Sequence, residues 1–291
     1  MMWTEYHKRV RAAGMGCKAQ PAAAVDLPRG VATPQTARLP APGARIKRFI
    51  GQPDTSTMPA QISRSLIAQL SLFNNLPEAE LDAALENAQA TRLQEGDAAF
   101  RQGEPVERFF VLLSGHLKVV QITPEGEQVV VRYVNPGDVF GIARAMGRMS
   151  YPASALAVHE SLVVSWPASE WDKFITRNTS FASTALQTVG QRLQDAHSRI
   201  RELSTEEVEQ RVARAILRLA QDSGEPVDNG IRINFPITRQ DIAEMTGTTL
   251  HTVSRLLSQW KDRGWVDTGR RRLTLCSPEK LSQLANGAPP R

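Results

Sequence analysis

The chain has 291 residues, 41% apolar and 22% charged. That length accommodates about two domains, and the composition is that of an ordinary globular protein, not of a collagen-like, fully disordered or membrane-spanning chain. No run approaches the roughly 20 apolar residues of a transmembrane helix and no apolar segment follows the basic start, so a cytoplasmic protein without membrane contact is expected. Cys17 and Cys276, the two cysteines, are too few for a four-thiolate iron–sulfur cluster or a Cys-rich zinc site and read as thiols of a reducing compartment.

The formal charge of +5 is concentrated at one end. Residues 1–57 hold nine Lys/Arg and three Asp/Glu, a charge of +6, whereas residues 58–291 hold 26 and 27, a charge of −1. Bulk charge is therefore no argument for a nucleic-acid partner, and such a partner has to be read from local patterning. The leader, 1–57, is rich in Pro and Ala with no sustained period and reads as disordered. It is a DNA-contacting arm, a targeting segment, a dispensable tail, or a misassigned start with Met58 as initiator. An amphipathic stretch with Ile62, Leu66 and Leu70 follows Met58.

From about Leu70 to Trp166 short apolar runs alternate with turn residues. The runs Phe109 to Leu113, Leu117 to Ile122, Val129 to Val134 and Leu162 to Trp166 predict strands, and Gly103, Gly115, Gly126 and Gly137 recur at intervals of 12, 11 and 11 residues. Strands turning at that spacing predict a small antiparallel barrel or jelly roll over 58–180. Next, Leu186, Val189, Leu193, Ala196, Ile200 and Leu203 step by 3 and 4 residues along a helix placed at 181–204, the seam that two helices use to pair. Arg192, Gln194, Asp195, Arg199 and Arg201 make the rest of that surface polar, so homodimerisation is expected, the alternative being that the stripe packs on its own barrel. Thr205 to Gln221 predicts another helix, with Val208, Val212, Ala215, Ile216 and Leu219 on one face, and opens a second domain over 205–285. Residues 286–291 read as a disordered tail.

The segment Ile237 to Leu257 carries the most specific pattern. Thr238 caps a short helix with Ile242 and Met245 on its apolar face, and Gly247 supplies the positive φ of a tight turn. The next helix buries Val253, Leu256, Leu257 and Trp260 and leaves Thr249, His251, Thr252, Ser254 and Arg255 outside, which predicts a helix-turn-helix. Trp265 to Leu275, with Arg270, Arg271 and Arg272 at its turn, predicts a wing whose arginines meet phosphates. An αα-hairpin with a Gly turn also occurs without DNA. Local charge favours DNA here, because residues 237–272 hold seven Lys/Arg against four Asp/Glu. The second helix would read base edges in the major groove, with Arg255 forked onto guanine, Thr252 and Ser254 at a phosphate or thymine methyl, and His251 at a base.

Over residues 66–280 the chain resembles the Crp/Fnr family of bacterial transcription regulators. Two motifs carry the resemblance: Phe100-Arg101-Gln102-Gly103-Glu104-Pro105 through Phe109–Gly115 to Pro136-Gly137-Asp138-Val139-Phe140-Gly141, and Ile237–Ala243 with Thr252-Val253-Ser254-Arg255. The resemblance implies an α+β fold: an antiparallel jelly-roll sensor domain of cyclic-nucleotide-binding type, a long dimerisation helix and a C-terminal winged helix-turn-helix. It implies that Thr249, Leu250, His251, Ser254 and Arg255 face double-stranded DNA and that Arg239 lies near phosphate. Partners would be a second copy of the chain and, for an activator, RNA polymerase. His251 stands where members related to Crp and Fnr usually carry Glu, so the half-site is expected to differ at that base pair.

At the effector positions the chain reads Gly141-Ile142-Ala143 and Tyr151-Pro152 where a cyclic-AMP binder of this family has Gly-Glu-Leu and Arg-Ser, so cyclic AMP is not expected in the usual mode. An iron–sulfur cluster lacks its cysteines. Tyr151-Pro152-Ala153-Ser154-Ala155 is similar to members that respond to nitrogen oxides, several of which hold haem, and His116, His159, His197, Met146 and Tyr151 are the axial-ligand candidates. A regulator controlled by its own abundance is the alternative. Jelly rolls also include cupin-like metal enzymes, but His116 and His159 form no His-X-His pair, and no Gly-X-Ser-X-Gly elbow, P-loop or His-Glu-X-X-His occurs, so no enzyme is expected. The expected mechanism is that an effector repacks the barrel against the dimer helix and sets two recognition helices about 34 Å apart.

Overall fold

The computed structural model describes Phe73, residues 78–177 and residues 179–287. The leader 1–57, Met58, the stretch with Ile62, Leu66 and Leu70, Cys17 and most of the tail lie outside the described residues. The barrel opens with α1 (Glu78–Glu86) and contains β1 (Gln89–Leu93), β2 (Ala98–Phe100), β3 (Arg108–Ser114), β4 (Leu117–Ile122), β5 (Gln128–Val134), β6 (Val139–Phe140), β7 (Ser154–Ala157) and β8 (Ser161–Pro167). They form two antiparallel four-stranded sheets, β1-β8-β3-β6 and β2-β7-β4-β5.

The near-continuous apolar text of β3 follows from its position. Side chains alternate across a strand: Phe110 and Leu112 join Phe100, Phe140, Tyr151 and Val163 inside the barrel. Phe109 and Val111 point the other way and pack with Phe73, Trp166, Trp171 and Phe181. That second cluster seats α1, α2 (Trp171–Arg177) and the start of α3 (Thr179–Thr205) on the outer face of the first sheet. The Trp166 indole N–H donates to the Ala84 carbonyl at 2.7 Å. At Gly115, with φ of 85°, a Cβ would come within 2.2 Å of the Ser161 hydroxyl, so no larger residue fits this turn.

On α3 the predicted stripe points away from the chain: Leu186, Leu193, Ile200 and Leu203 are 74%, 57%, 63% and 51% exposed, and Val189 and Ala196 are exposed beside them. Two arginines assigned to the solvated face turn inward. Arg192 donates to the Val139 carbonyl, and Arg199 to the carbonyls of Val130, Val131 and Met245. These long side chains reach strand and helix carbonyls from the edge of the packed face. They anchor the helix that carries the stripe to the barrel.

The second domain comprises α4 (Val208–Ser223), β9 (Gly224–Val227), β10 (Gly230–Ile233), α5 (Arg239–Thr246), α6 (Leu250–Asp262), β11 (Val266–Gly269), β12 (Arg272–Leu275) and α7 (Pro278–Ala285). The helix expected from Thr205 begins at Val208, because Glu207 is its N-cap and donates its N–H to Gln210 at 2.9 Å. Buried Glu202 fixes the bend between α3 and α4 through a bidentate pair with Arg218, both contacts 2.7 Å. The sheet has four strands in the order β11-β12-β10-β9, where the sequence pointed only to the β11–β12 wing. Its core includes Ile216, Phe235, Ile242, Leu256, Trp260 and Leu273, and continues into Val120, Val130, Tyr133 and Val158 of the barrel wall.

Candidate nucleic-acid interface

Thr238 closes a capping box at the start of α5. Its hydroxyl accepts from Asp241 N–H at 3.0 Å, and its own N–H donates to the Asp241 carboxylate at 3.0 Å. Gly247 ends the helix at φ 60°, returning its N–H to the Ala243 carbonyl. Thr249 then caps α6, its hydroxyl accepting from Thr252 N–H at 3.2 Å. Val253, Leu256, Leu257 and Trp260 are the buried residues of α6, and Trp260 donates to Glu209 of α4 at 3.0 Å.

With that back face fixed, Thr249, Leu250, His251 and Arg255 project into solvent from the first turns of α6, and Arg239 from the first turn of α5. Thr252 and Ser254 are half-buried instead, and the Thr252 hydroxyl lies 3.0 Å from that of Thr249, inside the cap. A cleft of about 310 Å³ runs between α5, α6 and the wing. Its lining includes buried Ile242, Leu257 and Leu273 with exposed Arg239, Gln240 and Arg272, and Leu250, 47% exposed, stands at its edge. An apolar-floored, arginine-rimmed cleft beside a projecting helix suits the deoxyribose and phosphate edge of a groove.

The wing arginines divide. Arg270 is exposed; Arg272 lies 3.8 Å from Asp267; Arg271, expected at a phosphate, instead reaches the barrel and donates to Glu95 at 2.7 Å. Lys261 lies 3.6 Å from Asp267, and Arg263 covers the Trp265 ring at 5.0 Å. Part of the local positive charge counted from the sequence is thus placed beside a carboxylate or an aromatic ring of the same chain, while Arg239, Arg255, Arg270 and Arg272 are exposed on this face.

The effector positions fall in two packing clusters. Ile142 packs with the outer cluster around Trp166, whereas Ala143 and Tyr151 pack inside the barrel. The Tyr151 ring stacks on Phe100 at 4.0 Å and its hydroxyl donates to the Arg108 carbonyl at 2.5 Å. A Cβ at Gly141 would lie 2.8 Å from Phe110, and Pro152 is half-buried. Of the axial-ligand candidates, His116 is 6% exposed, with Nδ1 3.1 Å from Nε2 of His159 and its ring 4.6 Å from Phe235. Burial, and then His159, pull its pKa down to about 4. His197 and Met146 lie on exposed surface. Among the described residues no group of three or more His, Cys, Asp or Glu is placed to hold a metal ion.

Residues 90–178 match the cyclic nucleotide-binding domain family, and residues 210–284 match the Crp-like helix-turn-helix domain family. The chain belongs to the Crp/Fnr family. It is a transcription regulator with a cyclic-nucleotide-binding-type sensor domain and a DNA-binding helix-turn-helix, and is not an enzyme. This Crp/Fnr regulator is 24% identical to the CRP-like cAMP-activated global transcriptional regulator of Mycobacterium tuberculosis, across 76% of this chain and 98% of that one. It is 27% identical to the global nitrogen regulator of Synechococcus elongatus, across 74% of this chain and 95% of that one. In fold it is similar to FixK2 from Bradyrhizobium japonicum, with a TM-score of 0.60 at 24% identity over 68% of this chain and 96% of that one. Among the described residues, no helix is long and apolar enough to cross a membrane.

Proposed function

We propose that this regulator acts in the cytoplasm as a homodimer that reads a palindromic DNA site, with one α6 in each of two successive major grooves. The observation that carries the reading is the division of α6 into a fully buried back and a front presenting Thr249, Leu250, His251 and Arg255. Dimerisation is supported by the exposed stripe Leu186, Leu193, Ile200 and Leu203, which a lone chain would leave in water. Selection from randomised duplexes tests this directly: an inverted repeat with half-sites one turn apart is expected, and an unrepeated half-site would remove the dimer from the reading.

For the signal, cyclic AMP in the family's usual mode is disfavoured, since apolar Ile142 and the committed Tyr151 hydroxyl offer a phosphate no cation. Haem fits these residues poorly, because His116 and Tyr151 are tied to internal partners. The filled barrel interior around Phe100, Phe110 and Tyr151 favours a second reading, a regulator set by its own abundance. An absorption spectrum recorded before and after addition of haem and nitric oxide separates the readings: a stoichiometric Soret band that shifts with the gas would restore a haem-borne signal.

A further inference from the structure

Arg271 sits at the tip of the wing between β11 and β12, where a DNA-binding arginine belongs, yet its guanidinium is turned onto the sensor barrel. Nη1 donates to Glu95 at 2.7 Å and Nη2 to the Val158 carbonyl at 3.3 Å, contacts that span 176 and 113 residues of sequence. The fit is imperfect in one respect: the Arg271 Nε is buried with no hydrogen-bond partner. The positive φ of Arg271, 57°, belongs to the two-residue hairpin turn between Gly269 and Arg272. A guanidinium held by one carboxylate and one carbonyl, with a donor left over, is in a state that a better acceptor can displace. A DNA phosphate is such an acceptor, and the neighbouring Arg239, Arg270 and Arg272 already mark the face it would approach.

The barrel side of the contact is wired to the effector region. Glu95 lies in the turn between β1 and β2, whose Gly96 N–H donates to the Ala157 carbonyl at 2.9 Å, while Ala157 N–H donates to the Asp97 carbonyl at 2.8 Å. Ala157 ends β7, Val158 follows it, and β7 begins two residues after Pro152. Through β7 and these two hydrogen bonds, both acceptors of Arg271 are connected to the strand that leaves Tyr151.

We propose that Glu95 is an internal competitor for the DNA backbone: it holds wing Arg271 on the sensor barrel, and loss of that hold frees Arg271 to neutralise a phosphate. This rests on the DNA-binding reading above and adds a residue-level brake between the two domains. Both partners are partly exposed, with side-chain accessibilities of 37% for Arg271 and 58% for Glu95, so the brake is weak and adjustable, as befits a contact that has to yield.

The test measures binding of the selected operator and of an unrelated duplex by fluorescence anisotropy at fixed salt. It compares the full chain with Glu95→Gln, Arg271→Ala and the double variant, with Glu127→Gln, another exposed barrel carboxylate, as the control for bulk charge. Glu95→Gln is expected to tighten binding to both duplexes by about two- to fivefold, the range an exposed ion pair supports. Arg271→Ala should weaken both, and Glu95→Gln should add nothing in the Arg271→Ala background. Tightening no greater than that of Glu127→Gln, or tightening that persists without Arg271, overturns the proposal while leaving the DNA-binding reading intact. Absence of DNA binding by every variant overturns both.

Discussion

The Lys118 ammonium stands 2.7 Å from the Asp241 carboxylate, so a strand of the sensor barrel donates into the capping box of the first helix of the helix-turn-helix. Gln128 repeats the link one turn on, donating to Glu244 at 2.9 Å, and Phe235 lies 4.6 Å from the rings of both His116 and Tyr133. The domain that reads DNA and the domain that senses share a wall, and the predictions that follow address that wall before the DNA face.

Burial pushes the Asp241 carboxyl up, but hydrogen bonds from Lys118 and Thr238 outweigh it and hold the group below the usual carboxylate value. A depressed folded-state pKa contributes stability that is present above the unfolded value of about 3.9 and is lost as pH falls through the folded value. Lys118→Met strips one partner from a carboxylate whose side chain is 8% exposed. It is expected to cost about 1–3 kcal/mol at neutral pH, measured by urea unfolding; a change within about 0.5 kcal/mol would show the pair to be energetically idle.

His116 loses stability in the same direction at the same wall, across a higher pH window. Its folded pKa of about 4 lies below the ordinary 6.5 because of burial and the facing His159. The unfolded chain therefore takes up the proton first, and stability falls as pH drops from about 6.5 towards 4. At about 1.4 kcal/mol per pKa unit the loss from this residue approaches 3 kcal/mol at the acid end. The unfolding midpoint of His116→Gln should lose that slope across the window; an unchanged slope would assign it to other groups.

What could be read from sequence was what repeats locally. Strands β3, β4, β5 and β8 announce themselves as apolar runs bounded by turn residues, and α6 by four buried positions at helical spacing. β1 (Gln-Ala-Thr-Arg-Leu), β2 (Ala-Ala-Phe) and β7 (Ser-Ala-Leu-Ala) are short and poor in β-branched residues, so their pairing and not their propensity makes them strands. β9 carries Pro226, tolerated because β9 is an edge strand. The inward roles of Arg192 and Arg199, and the pairing of Arg271 with Glu95, join residues 46 to 176 positions apart and leave no local pattern.

The stripe on α3 predicts oligomeric state. Leu193→Asp places a charge at its centre, where Leu193 is 57% exposed in the single chain, so the isolated fold should survive while pairing is lost. Sedimentation should report a monomer, and site-specific DNA binding should disappear with the dimer. A monomeric variant that still protects the full palindrome would exclude the dimer model.

On the DNA face the residues of α6 should separate by what they read. Arg255→Ala is expected to cost about 1–3 kcal/mol on the preferred site and to relax one guanine position, because a bidentate contact to O6 and N7 distinguishes that base from the others. Arg270→Ala removes a cation from the wing tip and should weaken all duplexes alike, reducing the salt slope by about 1. Leu250 has no polar group to offer, and its exposure on the first turn suits contact with a thymine methyl. Replacing each thymine of the selected site by uracil in turn should therefore weaken wild type at one position and leave Leu250→Ala indifferent there. His251→Glu restores an anionic acceptor and should shift the partnered base towards cytosine, whose N4 donates. If the three α6 variants lose affinity equally on every sequence, α6 supplies only charge and shape, and base recognition has to be sought elsewhere on the molecule.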